Sequence, residues 1–365
     1  MDYMKITVPF DRLEELKPII EAGADELYCG VCSNYWKFIG FSPNDRLGFC
    51  SLSSFHELKE ALGIAKNYCV PIFLCFNRYF NKGTFESALK DISKAIELGI
   101  DGFVIAELGF IPFIKRLNSN CKIVLSCLNT CFNSKTLAFF SELGVDRVVL
   151  DRQLTLKEIE CLSIDAKKIP IELEIFIHNI VCRHINANCL LHRMESRGIL
   201  RQNALWLSLR HMSFMKRLRS FMDRKKVTRS VFLRMGFETC RDEFKAKVFN
   251  ISEQGFIERN TIERFSLDGD LLPRYCAVCS IYLLEQYGIS AVKIIGRGFL
   301  TERKVNDLKF LRRYLDEVNT GSIHEHNFLL KGKGLYREIY GVDCVGRQCH
   351  HLEIYQQRQK LEIAL

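Results

Sequence analysis

Short apolar runs and amphipathic stretches alternate along most of the chain. The amphipathic stretches carry apolar residues at helical spacing, and several end at a glycine, as at Gly23, Gly99 and Gly144. The apolar runs are nearly continuous, which is typical of strands that are buried on both faces. Eight such runs occur, at 4–8, 26–31, 71–77, 102–107, 122–129, 147–151, 171–178 and 291–295.

Eight strands that alternate with helices predict an α/β fold, namely a (β/α)8 TIM-like barrel. An open doubly wound sheet is the alternative. No glycine-rich phosphate loop follows the first strand, and this favours the barrel. A helix is predicted at about 302–318, directly after the last strand.

The seventh and eighth runs are separated by a stretch of about 180–290, whereas ordinary connections have ~2–6 residues. We therefore expect an inserted subdomain at the carboxyl end of strand seven, which is the catalytic face of barrels. The predicted parts are strands one to seven in 1–180, the insert in 181–289, the last strand and helix in 290–320, and a tail in 321–365. In the tail, Gly332 and Gly334 predict turns.

The alternation of side chains along strand seven puts Glu172, Glu174, Phe176 and His178 on one face, which we expect to point into the barrel. Lys293 has the corresponding place on strand eight. Buried charges need partners, so one interpretation is a structural ion pair between Glu174 and Lys293.

The other interpretation is a polar pocket at the carboxyl ends of the strands. There, basic and acidic side chains would hold a polar or anionic substrate. Its predicted members are Glu107 at the end of strand four, Arg152 after strand six, His178 at the end of strand seven and Arg297 after strand eight.

The net charge of +9 is concentrated in one segment of the predicted insert. Between Arg193 and Arg234 there are twelve Lys or Arg and two acids, with Trp206 and several Phe among them. A pair of amphipathic helices with a solvated basic face would explain this composition. The alternative is a surface that binds RNA, since basic side chains attract phosphates and aromatic rings stack on bases. An acidic peptide or another protein partner would also fit.

The rest of the composition is that of a folded protein without a membrane span. No apolar run approaches the ~20 residues that a bilayer requires, and the N-terminus has no cleavable apolar segment. We therefore expect a cytoplasmic protein. In that compartment its sixteen cysteines should be reduced.

The cysteines that follow strand seven and precede strand eight suggest a metal site. Cys182 and Cys189 come first, Cys240 lies inside the insert, and Cys276 and Cys279 precede the last strand. Four converging thiolates would hold either zinc or an iron–sulfur cluster, and the spacing alone does not choose. Two further pairs remain, namely Cys29 with Cys32, and Cys344 with Cys349. We expect free thiols there, with the tail pair the more open question.

Five stretches, taken in order, resemble one known family, peptidase family U32. Together they cover most of residues 1–310, and their combination is more specific than any one of them. They are 21–28 (EAGADELY), 101–109 (DGFVIAELG), 147–152 (RVVLDR), 172–178 (ELEIFIH, followed by a C-x6-C pair) and 290–297 (SAVKIIGR).

The resemblance implies a barrel with a four-iron, four-sulfur cluster held by four cysteines. Cys182 and Cys189 match the first two ligands, Cys240 resembles the third, and Cys276 or Cys279 falls where the fourth is expected. The chain departs from the family pattern between Cys189 and Cys240, where the usual NRG-x-C-x-x-PC run is absent. Zinc is the alternative at this site.

The resemblance also implies an enzyme. Members of the family carry out oxygen-independent hydroxylation of transfer RNA, ribosomal RNA or ubiquinone precursors, and others are named as collagenase-like peptidases. We therefore expect modification of RNA or of a small aromatic molecule, with His178 and Arg152 positioning the substrate. The alternatives are a peptidase and a non-catalytic RNA-binding or assembly partner. No Ser/His/Asp or HExxH pattern supports the peptidase.

Overall fold

The computed structural model describes residues 3–39, 42–44, 50–178, 246–252, 255–262, 275–345 and 348–364. The chain divides into two compact units. One comprises Met1–Cys189 and Leu272–Leu365, and the other Leu190–Leu271. The predicted basic segment between Arg193 and Arg234 lies outside the described residues.

The first unit is a closed barrel of eight parallel strands, as the alternating pattern predicts. The strands are β1 (Lys5–Pro9), β2 (Glu26–Cys29), β3 (Ile72–Phe76), β4 (Gly102–Ile105), β5 (Lys122–Leu125), β6 (Arg147–Val149), β7 (Glu172–His178) and β10 (Ala291–Ile294), with β8 (Ala246–Ser252) and β9 (Gly255–Ile262) in the second unit. Around the barrel the order is β1-β10-β7-β6-β5-β4-β3-β2.

The barrel closes where β1 pairs with both its sequence neighbour and the last strand. Thr7 is in register with Glu26 on one side and with Lys293 on the other.

The helices between the strands and after β10 are α1 (Leu16–Glu21), α2 (Asn34–Phe38), α3 (Phe55–Lys66), α4 (Lys82–Glu97), α5 (Ile111–Leu117), α6 (Ser134–Glu142), α7 (Leu156–Ala166), α8 (Ile281–Tyr287), α9 (Thr301–Asn319), α10 (Phe328–Tyr340) and α11 (Leu352–Ala364).

Local chemistry sets the ends of several helices. α7 begins with a capping box, in which the Thr155 hydroxyl accepts from the Glu158 amide and the Glu158 carboxylate accepts from the Thr155 amide. Gly144 follows α6 with φ +88°, a backbone conformation that an L side chain disfavours. The prediction that a glycine ends this helix is therefore confirmed at α6.

Several strands end before their predicted bounds, and β5 shows the largest difference. The pattern favours a strand throughout 122–129, but β5 ends at Leu125 and a 3-10 turn follows at Cys127–Asn129. The Ser126 hydroxyl accepts from the Leu128 amide at 3.4 Å and starts this turn. The Asn129 side chain then donates to the Ala106 carbonyl at 2.9 Å, which fixes the turn against the end of β4.

The predicted turns in the tail are wrong. Gly332 and Gly334 both lie inside α10. The tertiary reason is visible at Gly332, where an added Cβ would approach the Cys279 sulfur to 2.4 Å. A glycine here lets the helix backbone lie directly against Cys279.

In the described residues, no helix has the length and apolar character to cross a membrane.

The second unit contains an antiparallel hairpin of β8 (Ala246–Ser252) and β9 (Gly255–Ile262). Its register pairs Ala246 with Ile262 and Ser252 with Gly255. The register shifts once along the pair, between Val248 and Phe249. This part of the insert is therefore a two-stranded ribbon with one irregularity in its ladder.

Candidate active site at the mouth of the barrel

A network of buried charges occupies the amino-terminal half of the barrel interior. Arg147, which is fully buried, donates to Glu26 at 3.0 Å and to Glu174 at 3.1 Å. Lys293 donates to the other oxygen of Glu174 at 2.7 Å. The predicted pairing of Glu174 with Lys293 is therefore confirmed, and it has the character of a structural ion network.

The electrostatics of this network are consistent with charged partners. Burial alone would raise the pKa of Glu26, but its hydrogen bonds and attraction to Arg147 bring the pKa below its ordinary value. Burial would likewise lower the pKa of Arg147, and the surrounding acids raise it instead. Each charge in the network is thus held by an opposite charge at hydrogen-bonding distance.

Beyond the last residues of the strands, at the opposite, carboxyl end, four buried polar atoms have no hydrogen-bond partner within the described part of the chain. They belong to residues that follow three strands of one continuous sector, β3 to β6. Buried polar atoms are nearly always bonded, so such a group of exceptions marks a place where a ligand or water would complete the bonding. These atoms are Asn77 Oδ1, Thr130 Oγ1, Asp151 Oδ1 and Arg152 Nε. We call these four residues the mouth cluster.

Asp151 is the acid of the mouth cluster. Its side chain is 3% exposed, and its Oδ2 accepts from the Cys131 amide at 2.8 Å. Burial raises the pKa of Asp151 to about 6, against the smaller opposing effects of the Cys131 hydrogen bond and Arg152. The carboxyl group therefore changes protonation close to neutral pH, as a general acid or base requires.

Arg152 is the cation of the mouth cluster. Its guanidinium lies over the Phe176 ring of β7, 4.6 Å from the ring centroid. Stacking on an aromatic face fixes the plane of the guanidinium and leaves its edges able to donate hydrogen bonds. This arrangement suits an anion or the polar edge of a planar ligand.

Thr130 takes an uncommon backbone conformation, with φ +43°. A β-branched residue rarely adopts positive φ, and such strain is concentrated at functional sites. The loop that carries Thr130 is held across β4 and β3, since Tyr79 donates to the Leu128 carbonyl at 2.7 Å and Asn129 contacts Ala106. The surrounding structure therefore determines where the Thr130 hydroxyl lies.

His178 is fully buried and packs against α9. Its ring stacks on Phe310 with centroids 5.8 Å apart, and its Nδ1 lies 3.8 Å from Asp307 Oδ1. Burial lowers the pKa of His178 despite the attraction of Asp307, so the neutral imidazole is favoured. Neither ring nitrogen has a hydrogen-bond partner among the described residues.

The remaining predicted site residues have separate surroundings. Arg297 donates to the Asn44 side chain at 3.2 Å and to its carbonyl at 2.9 Å, and it lies 5.8 Å from the Tyr28 ring. Glu107 is half-buried and precedes the 3-10 turn after β4. Glu174 and Lys293 are brought into direct contact, whereas His178, Arg152 and Arg297 each contact different neighbours.

The predicted cysteine ligands are described only in part. Cys182, Cys189 and Cys240 lie outside the described residues. Cys276 is described and forms an antiparallel bridge with His178, the last residue of β7. Cys279 lies in a 3-10 turn (Val278–Ser280) before α8. Cys29 and Cys32 are buried thiols, and burial raises the pKa of Cys29 well above its ordinary value.

The sequence indicated only part of the mouth cluster. Asn77, Asp151 and Arg152 each stand at the end of an apolar run, and that position is the signal for the catalytic face of a barrel. Sequence reasoning selected Arg152 alone from this group. Thr130 gave no signal, because it follows a stretch whose pattern predicts a continuous strand.

A serine–histidine contact exists elsewhere in the barrel unit, but it does not form a peptidase site. The Ser280 hydroxyl and His351 Nδ1 are 2.7 Å apart. Both side chains are buried, at 0% and 4% exposed, and burial lowers the pKa of His351 to about 3. A nucleophile needs access to its substrate and a base that takes up a proton, and this pair offers neither.

The sequence profile of peptidase family U32 matches residues 11–202, which is more than half of the chain. The chain belongs to peptidase family U32. The predicted family is thereby confirmed over the segment that contains β2 to β7.

Two relatives show the range of names within this family. The chain is 27% identical over 208 residues to tRNA hydroxylation protein P1 of Bacillus subtilis, covering 55% of this chain and 46% of that protein. It is 28% identical over 197 residues to an uncharacterized protease of Methanocaldococcus jannaschii, covering 52% of this chain and 44% of that protein. The matches therefore span less than half the length of either relative.

Among solved structures, the U32 peptidase Mk0906 is similar to this chain with a TM-score of 0.38 and 12% identity. The similarity covers 49% of this chain and 70% of that one.

Proposed function

We propose that this protein hydroxylates a base of RNA, with the mouth cluster binding the base. The observation that carries the proposal is the family match together with the relative named for tRNA hydroxylation. The closed barrel supports it, because enzymes of this architecture place their sites at the carboxyl ends of the strands, where the mouth cluster lies.

The mouth cluster suits a nucleobase because it combines several kinds of hydrogen-bonding group. Asn77 Oδ1 accepts, Thr130 Oγ1 either donates or accepts, and Arg152 Nε donates. The Watson–Crick edge of a base offers complementary groups in one plane. Asp151 Oδ1 would exchange a proton with the bound base, since its pKa of about 6 lies near the working pH.

The cofactor belongs to the proposal. The family resemblance implies a four-iron, four-sulfur cluster on Cys182, Cys189, Cys240 and Cys276 or Cys279, with zinc as the alternative. Cys276 and Cys279 are thiols next to the end of β7, and thiolates are the ligands that both metals accept. An iron–sulfur cluster would supply electron transfer, whereas zinc would not.

RNA would be recruited by the basic segment between Arg193 and Arg234. Its excess of positive charge would give an affinity that falls as salt rises, because binding releases counterions from the phosphates. Binding of RNA that is independent of salt concentration would contradict this part of the proposal. A titration between low and moderate salt with a labelled transfer RNA measures it directly.

The decisive experiment compares modified nucleosides in cells. The gene is deleted in its own organism, RNA is digested to nucleosides, and hydroxylated nucleosides are quantified by mass spectrometry. We expect one hydroxylated nucleoside to disappear on deletion and to return with the wild-type gene but not with Arg152→Gln. The matched control is Arg116→Gln, an exposed arginine on α5 whose guanidinium lies 5.6 Å from the Phe113 ring centroid. Unchanged RNA in the deletion strain would contradict the proposal.

A peptidase is the second candidate, and the name of the Methanocaldococcus jannaschii relative favours it. The test is cleavage of denatured collagen by the purified chain, before and after exposure to air and a chelator. Cleavage that survives both treatments and is lost in Asp151→Asn would favour the peptidase. RNA binding without any change in nucleosides would instead indicate a non-catalytic RNA-binding partner.

A further inference from the structure

The tail returns to the barrel beside the end of β7 through Cys276. The Cys276 amide donates to the Gln348 carbonyl at 2.7 Å, and the His350 amide donates to the Cys276 carbonyl at 3.0 Å. These bonds form a parallel bridge between Cys276 and Cys349. Two cysteines that are remote in the sequence are thus paired through their backbones.

Cys279 and Cys344 are fixed beside this bridge by different contacts. Gly332 of α10 lies so close to Cys279 that an added Cβ would be 2.4 Å from its sulfur. Arg358 of α11, itself 6% exposed, donates to the Cys344 carbonyl at 2.6 Å and to the Cys344 sulfur at 3.0 Å. Helices of the tail therefore contact both cysteines.

The four thiols share one electrostatic environment. Burial raises the pKa of Cys276 well above its ordinary value, and Cys279, Cys349 and Cys344 raise it further. Burial followed by Cys349 and Cys344 has the same effect on the pKa of Cys279. All four are thiols and none forms a disulfide.

We propose that Cys276, Cys279, Cys344 and Cys349 together bind a metal through four thiolates. Two short loops, C-x2-C and C-x4-C, supply two sulfurs each, and this is the usual construction of a four-thiolate site. The guanidinium of Arg358 would offset part of the negative charge that the thiolates bring. The metal is either zinc or iron, since both take four thiolates.

Metal binding requires a change at the sulfurs. As the side chains stand, no three His, Cys, Asp or Glu among the described residues are arranged to hold a metal. Thiols must lose their protons to become ligands, and rotation about the Cα–Cβ bond moves each sulfur without moving the backbone. The bridge between Cys276 and Cys349 and the Arg358 contacts already hold the backbone in place.

The proposal does not rest on the proposed function. It assigns both Cys276 and Cys279 to this site, so the two ligand sets are alternatives for that pair of thiols. Cys344 and Cys349 are the new members, and nothing in the family resemblance assigns them. Their role would be to attach α10 and α11 to the end of β7, in addition to the apolar contacts that these helices already make with the core.

The first test is metal content. The full chain is purified without oxygen, and zinc, iron and acid-labile sulfide are measured for wild type, Cys344→Ser, Cys349→Ser and the control Cys161→Ser, an exposed thiol on α7. We expect both tail variants to lose most of the metal and Cys161→Ser to retain it. Iron with sulfide identifies a cluster, and zinc without sulfide identifies a zinc site.

Two outcomes would overturn the proposal. One is a wild-type chain without metal. The other is full metal content in Cys344→Ser and Cys349→Ser combined with its loss in Cys182→Ser, which would leave the cluster of the proposed function intact. Conversely, loss of metal in the tail variants, together with RNA nucleosides that do not change when the gene is deleted, would support this site while contradicting the proposed function.

A second measurement covers the case in which the tail variants fail to fold. The wild-type chain is alkylated with iodoacetamide before and after a chelator, and labelled cysteines are identified by mass spectrometry. We expect Cys344 and Cys349 to be protected until the metal is removed, while Cys161 reacts at the same rate in both samples. Equal labelling of Cys344 and Cys349 in both samples would overturn the proposal.

Discussion

Asp151 shows how burial alone gives a residue its chemistry at the mouth of the barrel. One carboxylate oxygen accepts from the Cys131 amide at 2.8 Å, and the other has no partner among the described residues. Glu174, which is also buried, is held by Arg147 and Lys293. The two acids differ in their partners. Arg147 and Lys293 donate hydrogen bonds to Glu174, whereas burial of Asp151 outweighs the opposing effects of its neighbours and raises its pKa.

This difference predicts how stability depends on pH. The pKa of Asp151 in the folded chain is about 6, above its ordinary value of 3.8. The folded state therefore keeps a proton that the unfolded state has lost, and stability falls as pH rises from about 4 to 6. Asp151→Asn removes this loss, so its stability relative to wild type should improve by ~1–2 kcal/mol between pH 4 and pH 7.

Urea unfolding followed by circular dichroism at both pH values measures the effect. Asp316→Asn serves as the control, because that side chain is 57% exposed on α9. Its stability relative to wild type should be nearly the same at the two pH values. If the stability of Asp151→Asn relative to wild type is also the same at the two pH values, the raised pKa of Asp151 is contradicted.

Among the elements, α10 shows that a helix can tolerate two glycines when one of them is needed for packing. Gly332 is buried and faces Cys279 and Tyr314, whereas Gly334 is exposed, with open space around an added Cβ. Intrinsic helix propensity disfavours both glycines by ~1 kcal/mol each relative to alanine. Only at Gly332 is this cost offset, by the close approach of the helix backbone to Cys279.

The two glycines therefore predict opposite effects of one substitution. Gly332→Ala should destabilise the chain by ~1–3 kcal/mol, because its Cβ forces the Cys279 sulfur or the helix to move. Gly334→Ala should stabilise it by up to ~1 kcal/mol, since only helix propensity changes. Thermal unfolding of the two variants beside wild type measures both, and equal shifts would contradict the packing of α10 on Cys279.

Across the whole molecule, Lys304 joins the last helix of the barrel to its first strand. Lys304 is 1% exposed on α9 and donates to Asp11 at 3.1 Å and to Glu15 at 2.8 Å. Asp11 and Glu15 follow β1, so these contacts connect the two ends of the barrel sequence where the sheet closes. Burial would raise the pKa of Glu15, but Lys304 and the other hydrogen bonds lower it to about 2.

Removal of this cation should destabilise the closed barrel. Lys304→Met leaves two buried acids without their cation, which costs about 3–5 kcal/mol at pH 7. Because the folded pKa of Glu15 is depressed, its contribution is present above pH ~4.5 and is lost as pH falls towards 2. The wild type should therefore lose stability in that range more steeply than the variant.

Urea unfolding at pH 7 and pH 3 compares Lys304→Met with wild type. Lys309→Met is the matched control, because it removes a lysine from the exposed side of the same helix. Its unfolding should resemble that of wild type at both pH values. A small effect of Lys304→Met at pH 7 would show that the contacts with Asp11 and Glu15 do not hold the ends of the barrel together.

Much of the barrel could be predicted from the sequence because its signals are local. Apolar runs, helical spacing and glycine stops each depend on residues within one or two turns, and they located all eight strands. Alternation along β7 and β10 also predicted that the side chains of Glu174 and Lys293 share the barrel interior, where they meet, since side-chain direction in a strand has a period of two. Strand ends were less certain, as the 3-10 turn after β5 shows.

The contacts between distant segments were decided only by the tertiary structure. The sequence of Cys344 and Cys349 contains nothing that assigns them to Cys276, and Thr130 has no local pattern that marks the mouth cluster. Lys304 likewise has the sequence surroundings of any helical lysine, although it is buried between two acids. Local spacing determined which elements form, whereas barrel closure and packing of the tail determined which of their side chains meet, because those encounters join residues far apart along the chain.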